Sequence, residues 1–203
     1  MISILSMHSE THSFIPDSDV IGRDKDKQEI IDLLMQPSDD GNVSVIPIIG
    51  LGGMGKTTIA QSVYNDAMFK RNFFHRAWVC VSVDFDVQKL AKEILKSAGG
   101  VVSENMSMDQ VQASLRNVLN GKSFLIVLDD VWNEDHSEWN DLKMLLIEGA
   151  KGSKIIVTTR SHKVASVMTR GSIHELKGLP EQDSLCLFLK WAFEKGKDKQ
   201  YQN

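Results

Sequence analysis

Short apolar runs alternate with segments of helical period along most of this chain. The apolar runs predict strands at 43–49, 76–83, 123–129 and 153–158, with a short edge strand at 172–176. The helical periods predict helices at 24–35, 57–68, 86–98, 108–120, 138–148, 161–168 and 181–195. Continuous apolar strands separated by helices are typical of a parallel sheet covered on both faces. The pattern therefore predicts a three-layer α/β fold.

Three parts of the chain depart from this alternation. Residues 1–19 are polar and irregular, so we expect a poorly ordered segment there, and residues 194–203 read as a solvated polar tail. The folded domain is expected over residues 20–193. Pro47 lies inside the strand predicted at the centre of the sheet, where proline removes a hydrogen-bond donor, so we expect one lost ladder bond.

A glycine-rich segment follows the first predicted strand and precedes a predicted helix. It satisfies the pattern G-x-x-x-x-G-K-[ST] and consists of Gly50, Leu51, Gly52, Gly53, Met54, Gly55, Lys56, Thr57 and Thr58. The glycines let the backbone turn with positive φ and approach a ligand closely. Exposed main-chain N–H groups and the helix dipole then favour an anion. We expect Lys56 to reach the β- and γ-phosphates of a nucleotide and the Thr57 hydroxyl to bind Mg²⁺.

Two carboxylates end the strand predicted at 123–129. Asp129 and Asp130 follow its apolar residues directly, and an acid beside a phosphate-binding loop is what a magnesium-nucleotide site requires. Strand alternation places consecutive side chains on opposite faces unless the backbone turns, so the two acids must have different roles. We assign Mg²⁺ binding to Asp129 and activation of the attacking water to Asp130.

Arg160 follows the strand predicted at 153–158. A guanidinium group is always charged, and at the end of a strand beside the loop it could contact a γ-phosphate. An arginine in this place is by itself more often a surface charge. The four tryptophans are interpreted as packing residues.

Composition limits the classes of function. The 203 residues are 42% hydrophobic and 25% charged, with a net charge of −4 and acids and bases interspersed, which argues against a domain built to hold nucleic acid. No apolar run approaches the ~18 residues of a membrane span. Cys80 and Cys186 are interpreted as core thiols of a reducing compartment, and the lack of a basic residue before Arg23 disfavours a secretory signal. These features predict a cytoplasmic protein.

Five segments in order carry a resemblance to a known family. They are the glycine-rich segment, Phe74–Ser82, Leu128–Trp132, Gly152–Arg160 and Leu176–Pro180. Together they resemble the NB-ARC nucleotide-binding domain of plant nucleotide-binding, leucine-rich-repeat disease-resistance proteins, over about residues 20–193. Trp132 after the acid pair resembles the coiled-coil class of those receptors. The resemblance implies a P-loop NTPase fold of the STAND/NB-ARC type.

The resemblance also implies a cofactor and roles for individual residues. ATP or ADP with Mg²⁺ is the implied ligand of a switch in plant defense, with weak ATPase activity in the full-length protein. Val20, Ile21 and Arg23 fall where the family contacts adenine, Thr58 falls where its loop meets the α-phosphate, and Arg160 falls on its γ-phosphate sensor. The implied partners are helical subdomains, leucine-rich repeats and a coiled coil of the same receptor.

The chain ends before the family's Gly-Leu-Pro-Leu and Met-His-Asp segments. We therefore expect a fragment that holds the nucleotide-binding subdomain, binds nucleotide weakly and does not switch by itself. The alternatives are a phosphotransferase or an interaction scaffold of the P-loop class. A GTPase is disfavoured because Asn-Lys-x-Asp is missing, and a transporter ATPase because Leu-Ser-Gly-Gly-Gln is missing.

Overall fold

A five-stranded parallel sheet forms the centre of the molecule. The computed structural model describes residues 11–37, 43–81 and 85–197, with the side chains of 194–197 excepted. The strands are β1 (Val43–Ile49), β2 (His75–Cys80), β3 (Phe124–Val131), β4 (Ser153–Thr159) and β5 (His174–Glu175). Their spatial order is β2-β3-β4-β1-β5, and every pairing is parallel. β1, the strand that leads into the glycine-rich segment, therefore lies out of chain order between β4 and β5.

Helices cover both faces of this sheet. They are α1 (Asp24–Met35), α2 (Lys56–Tyr64), α3 (Ala67–Asn72), α4 (Val87–Ser97), α5 (Met108–Leu119), α6 (His136–Leu145), α7 (His162–Met168) and α8 (Glu181–Lys197), with a short 3₁₀ helix at Asp17–Asp19. Side-chain hydroxyls and carboxylates begin several of them. Ser107 and Gln110 form a capping box at α5, and Asp135 accepts main-chain N–H groups at the start of α6.

Alternating strand residues contribute to two separate hydrophobic cores. Ile126 and Leu128 of β3 pack in the core formed with α4–α7, whereas Leu125 and Val127 pack in the core formed with α1–α3. All four side chains are at most 1% exposed. Strands buried on both faces explain why their sequences are continuous apolar runs. The predicted three-layer α/β fold is confirmed.

Pro47 costs the sheet fewer main-chain hydrogen bonds than the sequence suggested. The Ile49 carbonyl accepts a hydrogen bond from the Leu176 N–H at 2.7 Å, so the main-chain groups of Ile49 face β5. Residues two apart along a strand direct these groups to the same side, and Pro47 therefore also faces β5. β5 pairs with β1 only at Ile48 and Ile49. The missing N–H of Pro47 thus points where no ladder bond to β5 is formed.

Several predicted boundaries were wrong. The single helix predicted at 57–68 is two helices, because Asp66 accepts a hydrogen bond from the Met68 N–H and begins α3. The edge strand predicted at 172–176 is only His174–Glu175. The last predicted residues of the strand 76–83 fall on 82–84, outside the described residues, and so do 198–203 of the predicted tail. Helix α8 continues to Lys197, beyond the predicted start of that tail at 194.

Part of the segment expected to be poorly ordered, residues 11–19, contacts the folded domain. Residues 11–19 make hydrogen bonds to α2, β3 and α8, since Asn65 donates to the Ser13 carbonyl and Lys190 to the Asp19 carboxylate. Residues 1–10 lie outside the described part. None of the helices described in 11–37, 43–81 and 85–197 combines the length and the apolarity needed to cross a bilayer.

Candidate functional site

The glycine-rich segment joins the carboxyl end of β1 to the first residue of α2. Gly53 and Gly55 have φ values of 77° and 86°, in the left-handed region where glycine is favoured. Gly55 is the residue that precedes α2, so the loop closes onto the N-terminal end of a nine-residue helix. The unpaired N–H groups and positive dipole end of that helix suit an anion.

Lys56 is held under this loop as a buried cation. Its side chain is 7% exposed, and its Nζ donates to the Leu51 carbonyl at 2.9 Å. Burial lowers the pKa of Lys56 below its ordinary value, and the nearby positive charge of Arg160 lowers it further, while Asp130 and Asp129 oppose both effects. An anion bound in the loop would add to the negative charge that these two carboxylates provide.

Asp129 is fully buried, and hydroxyl groups surround its carboxylate. Thr57 donates towards both oxygens at 3.1 Å, which places the first turn of α2 directly over the end of β3. Thr158 of β4 donates to Oδ1 at 2.5 Å, and Thr11 donates to Oδ2 at 2.8 Å. Thr57 and Asp129 were each expected to bind Mg²⁺, and their side chains are in hydrogen-bond contact.

The backbone turns at Asp130, so that both acids face the site. Asp130 has a φ of 58° and is the only non-glycine among the described residues with a positive φ, and the β3–β4 register shifts between Leu128 and Val131. The Asp130 N–H donates to the Thr158 hydroxyl at 2.8 Å, and its carboxylate lies 3.9 Å from the Arg160 Nε. Thr158 therefore fixes the Asp129 side chain and the Asp130 backbone at once.

Arg160 lies against the glycine-rich segment. A Cβ placed on Gly52 would stand 3.0 Å from the Arg160 Nη1, which shows how close the guanidinium is to the loop backbone. The guanidinium also stacks on Trp132, with 4.9 Å between its Cζ and the ring centroid. About half of the Arg160 side chain is exposed. A phosphate held by the loop would therefore meet a positive group that the Trp132 ring keeps in place.

A cavity of about 530 Å³ opens beside the loop. Ile21 and Arg23 line it together with Gly53, Met54, Gly55 and Thr58. Arg23 is buried and joins three elements, because it donates to the Met54 carbonyl, the Lys177 carbonyl and the Asp26 carboxylate. Val20, which was expected to contact the same ligand, is not among the residues that line this cavity.

The residues expected to bind phosphate and magnesium thus form one site. Gly50, at the start of the loop, packs beside Leu176, where an added Cβ would stand 3.2 Å from the Leu176 carbonyl. Sequence reasoning missed Thr11 and Thr158, because their roles depend on contacts between distant parts of the chain. Trp132 and Trp191 were also predicted to be packing residues. In the structure the Arg160 guanidinium stacks on the Trp132 ring, and Trp191 of α8 lines the cavity.

The donor set fits a hard divalent cation. Thr57 and Asp129 offer one hydroxyl and one carboxylate, both oxygen ligands of the kind Mg²⁺ prefers. Magnesium is usually held by one or two protein oxygens together with substrate phosphates, and the adjoining loop would place phosphates there. The residues present therefore suit a magnesium-nucleotide ligand.

Comparison with known proteins identifies related chains. The family model for the NB-ARC domain matches residues 23–198. Disease resistance protein RGA2 of Solanum bulbocastanum is 43% identical over 190 residues, which is 93% of this chain and 20% of that protein. Putative disease resistance RPP13-like protein 1 of Arabidopsis thaliana is 40% identical over 186 residues, covering 90% of this chain and 18% of the relative. The chain spans about a fifth of the length of these relatives.

Solved structures share the fold at low sequence identity. Cdc6p from Pyrobaculum aerophilum superposes with a TM-score of 0.67 at 16% identity, covering 90% of this chain and 52% of that one. The ORC2 protein of Aeropyrum pernix, solved as ADPNP-ADP complexes, has a TM-score of 0.62 at 16% identity and covers 90% of this chain and 54% of that one. These similarities establish the α/β architecture.

Proposed function

The chain belongs to the NB-ARC domain family, and we propose that it is the ADP- and ATP-binding part of a molecular switch in a plant disease-resistance receptor. The observation that carries this proposal is the buried Lys56 ammonium beneath the glycine-rich segment, beside the Thr57–Asp129 pair. A buried lysine whose pKa is lowered by desolvation is poised to gain from an anion. The neighbouring oxygen atoms of Thr57 and Asp129 would bind the Mg²⁺ ion that accompanies a polyphosphate.

Each residue of the site has a separate task in this proposal. The loop N–H groups and Lys56 bind the β- and γ-phosphates, and Thr57 and Asp129 hold Mg²⁺, which neutralises phosphate charge when bound. Asp130 orients the attacking water, and Arg160 detects the γ-phosphate. The cation and the polyphosphate charges are thereby matched by groups on the glycine-rich segment, α2, β3 and the residue after β4.

The cavity beside the loop is where we place the base of the nucleotide. Ile21 supplies an apolar wall, and Arg23 fixes that wall to the loop through the Met54 carbonyl. We assign adenine to this cavity and extend the assignment to Val20, the residue before Ile21. The ORC2 protein, which shares the fold, was solved with ADPNP and ADP. This precedent supports adenine as the base.

Switching requires more than this site. Moving a two-state equilibrium from 1:99 to 99:1 takes about 5.5 kcal/mol of differential binding. One charge-assisted hydrogen bond from Arg160 contributes roughly 1.5–3 kcal/mol. We infer that the remainder comes from contacts with other domains of a longer cytoplasmic receptor of the coiled-coil class, and that this chain alone binds nucleotide weakly and hydrolyses it slowly. Nanomolar affinity for ADP in a calorimetric titration of the chain would contradict this inference.

Replacement of Lys56 tests the proposal directly. We expect Lys56→Ala to abolish binding of fluorescent ADP, because the β- and γ-phosphates lose their buried cation. Lys154→Ala is the matched control. Lys154 lies at the start of β4 and is also buried, but its Nζ donates to the Gln36 carbonyl, away from the loop. Wild-type ADP affinity in Lys56→Ala, or an equal loss in both folded variants, would refute the assignment.

A further inference from the structure

Residues 11–16, which we call the N-terminal strap, lie along helix α2. Two side-chain amides, one in α2 and one on the residue directly after it, donate hydrogen bonds to main-chain carbonyl groups of the strap. Gln61 donates to the His12 carbonyl, and Asn65 donates to the Ser13 carbonyl. His12 and Ser13 thus follow α2 towards its C-terminal end.

One end of the strap enters the magnesium side of the site. The Thr11 hydroxyl donates to Asp129 Oδ2 at 2.8 Å, and the Trp78 indole N–H lies 3.4 Å from the Thr11 oxygen. Thr11 therefore bonds to the carboxylate that is proposed to hold Mg²⁺. Nothing else in the strap reaches this acid through a described hydrogen bond.

The other end of the strap borders the cavity proposed for the base. Ile15 and Pro16 line that cavity, as do Gly53 and Gly55 of the glycine-rich segment. The 3₁₀ helix that follows is held by Lys190 of α8, whose Nζ lies 2.7 Å from the Asp19 carboxylate. The Pro16 end is therefore fastened to α8, while the Thr11 end bonds to Asp129.

Three hydroxyl groups share the two Asp129 oxygens while the strap is docked. A carboxylate offers about four lone-pair positions. Oδ1 faces Thr158 and Thr57, and Oδ2 faces Thr11 and Thr57. Each hydroxyl donates one hydrogen, so three of these positions are occupied, and a Mg²⁺ ion that coordinates Oδ2 directly at about 2.0–2.1 Å competes with the Thr11 hydroxyl for that oxygen.

Of the three hydroxyls, that of Thr11 is the one whose departure disturbs least. Thr158 is 1% exposed and also accepts the Asp130 N–H, so it is fixed on β4. Thr57 can turn its oxygen towards the cation and become a ligand itself. Thr11 sits on the strap, and apart from the long Trp78 contact its hydroxyl makes one described hydrogen bond.

We propose that the N-terminal strap is an internal competitor of Mg²⁺ at Asp129, so that binding of the magnesium form of the nucleotide releases Thr11. This inference rests on the proposed function, since it assumes a nucleotide in the loop. Competition weakens binding of magnesium-ADP and leaves binding of metal-free ADP unchanged, because metal-free ADP does not need the Asp129 oxygen. The strap therefore makes nucleotide affinity depend on how firmly residues 11–16 are docked.

Isosteric replacement of Thr11 in the full chain tests the competition. Thr11→Val removes the hydroxyl and keeps the shape of the side chain, and Thr11→Ser is the matched control that retains the donor. Calorimetric titrations with ADP are made in excess Mg²⁺ and in EDTA. We expect Thr11→Val to bind magnesium-ADP about tenfold more tightly than wild type, the scale of one hydrogen bond to a charged group. Metal-free ADP should bind all three forms equally, and Thr11→Ser should match wild type.

The other outcomes are distinguishable. Unchanged or weaker magnesium-ADP binding in Thr11→Val, with ADP binding retained in EDTA, overturns the competition and leaves the proposed function standing. An equal gain with and without Mg²⁺ also overturns it, because the strap would then obstruct the nucleotide and not the metal. Absence of ADP binding in every form, under both conditions, refutes the proposed function and the inference with it.

Discussion

Thr158 is expected to be the residue whose hydroxyl matters most to the stability of the site. Thr158→Val preserves the side-chain shape but removes the donor to Asp129 Oδ1 and the acceptor of the Asp130 N–H. A hydrogen bond to a charged group contributes about 1.5–3 kcal/mol, and an unsatisfied N–H costs about 1–3 kcal/mol. The added methyl group offsets part of this loss, so we expect the free energy of unfolding to fall by about 3 kcal/mol.

Urea denaturation followed by circular dichroism measures this loss, and thermal unfolding provides a second measure. For a domain of 150–250 residues each kcal/mol shifts Tm by about 2–4 °C, which predicts a fall of about 6–12 °C for Thr158→Val. Thr158→Ser retains both hydrogen bonds and is the matched control. If the valine and serine variants unfold within about 0.5 kcal/mol of each other, Thr158 does not hold the acid pair in the way described.

Three further predictions concern single residues of the site. Asp130→Ala should leave ADP affinity unchanged and slow ATP hydrolysis in a phosphate-release assay, and unchanged turnover removes Asp130 from the mechanism. Burial lowers the pKa of Lys56 in the free protein, and a bound phosphate raises it again. ADP binding should therefore take up a proton at pH values near and above that lowered pKa, and affinity should fall as the pH rises through it. Calorimetry in buffers of different ionisation enthalpy detects this uptake, and Lys56→Arg should abolish it. Gly53→Ala should cost about 1 kcal/mol in urea denaturation through its positive φ alone, whereas Gly178→Ala, also in open space, should cost nothing.

The sequence was sufficient for features that depend on neighbouring residues. The loop from Gly50 to Thr58 could be predicted because strand, glycines and helix start are consecutive in the chain. The alternation of apolar runs and helices likewise predicted the layers of the fold. The break between α2 and α3 was missed, although Asp66, an N-cap residue, marks it in the sequence. There a local capping signal outweighed the apolar period that favoured one continuous helix.

Other features depend on contacts between distant residues and could not be derived in this way. The backbone turn at Asp130 arises where β3 shifts register against β4, and no residue near position 130 signals it. Thr11 reaches Asp129 across 118 positions from a segment whose polar composition predicted disorder. The stacking of Arg160 on Trp132 likewise joins the ends of two different strands. Register and long-range hydrogen bonds are properties of the assembled sheet.

Pro47 has a consequence for self-association. β5 covers only Ile48 and Ile49 of β1, so within the described residues the first part of that edge has no strand beside it. An exposed edge is a template on which a second chain can add a strand and begin aggregation, but Val43, Val45 and Pro47 of this edge are buried. Because proline carries no N–H, Pro47 withholds a donor on this side from any incoming strand. The residue that seemed to weaken this strand thereby adds a missing donor to the burial that already separates the edge from a second chain.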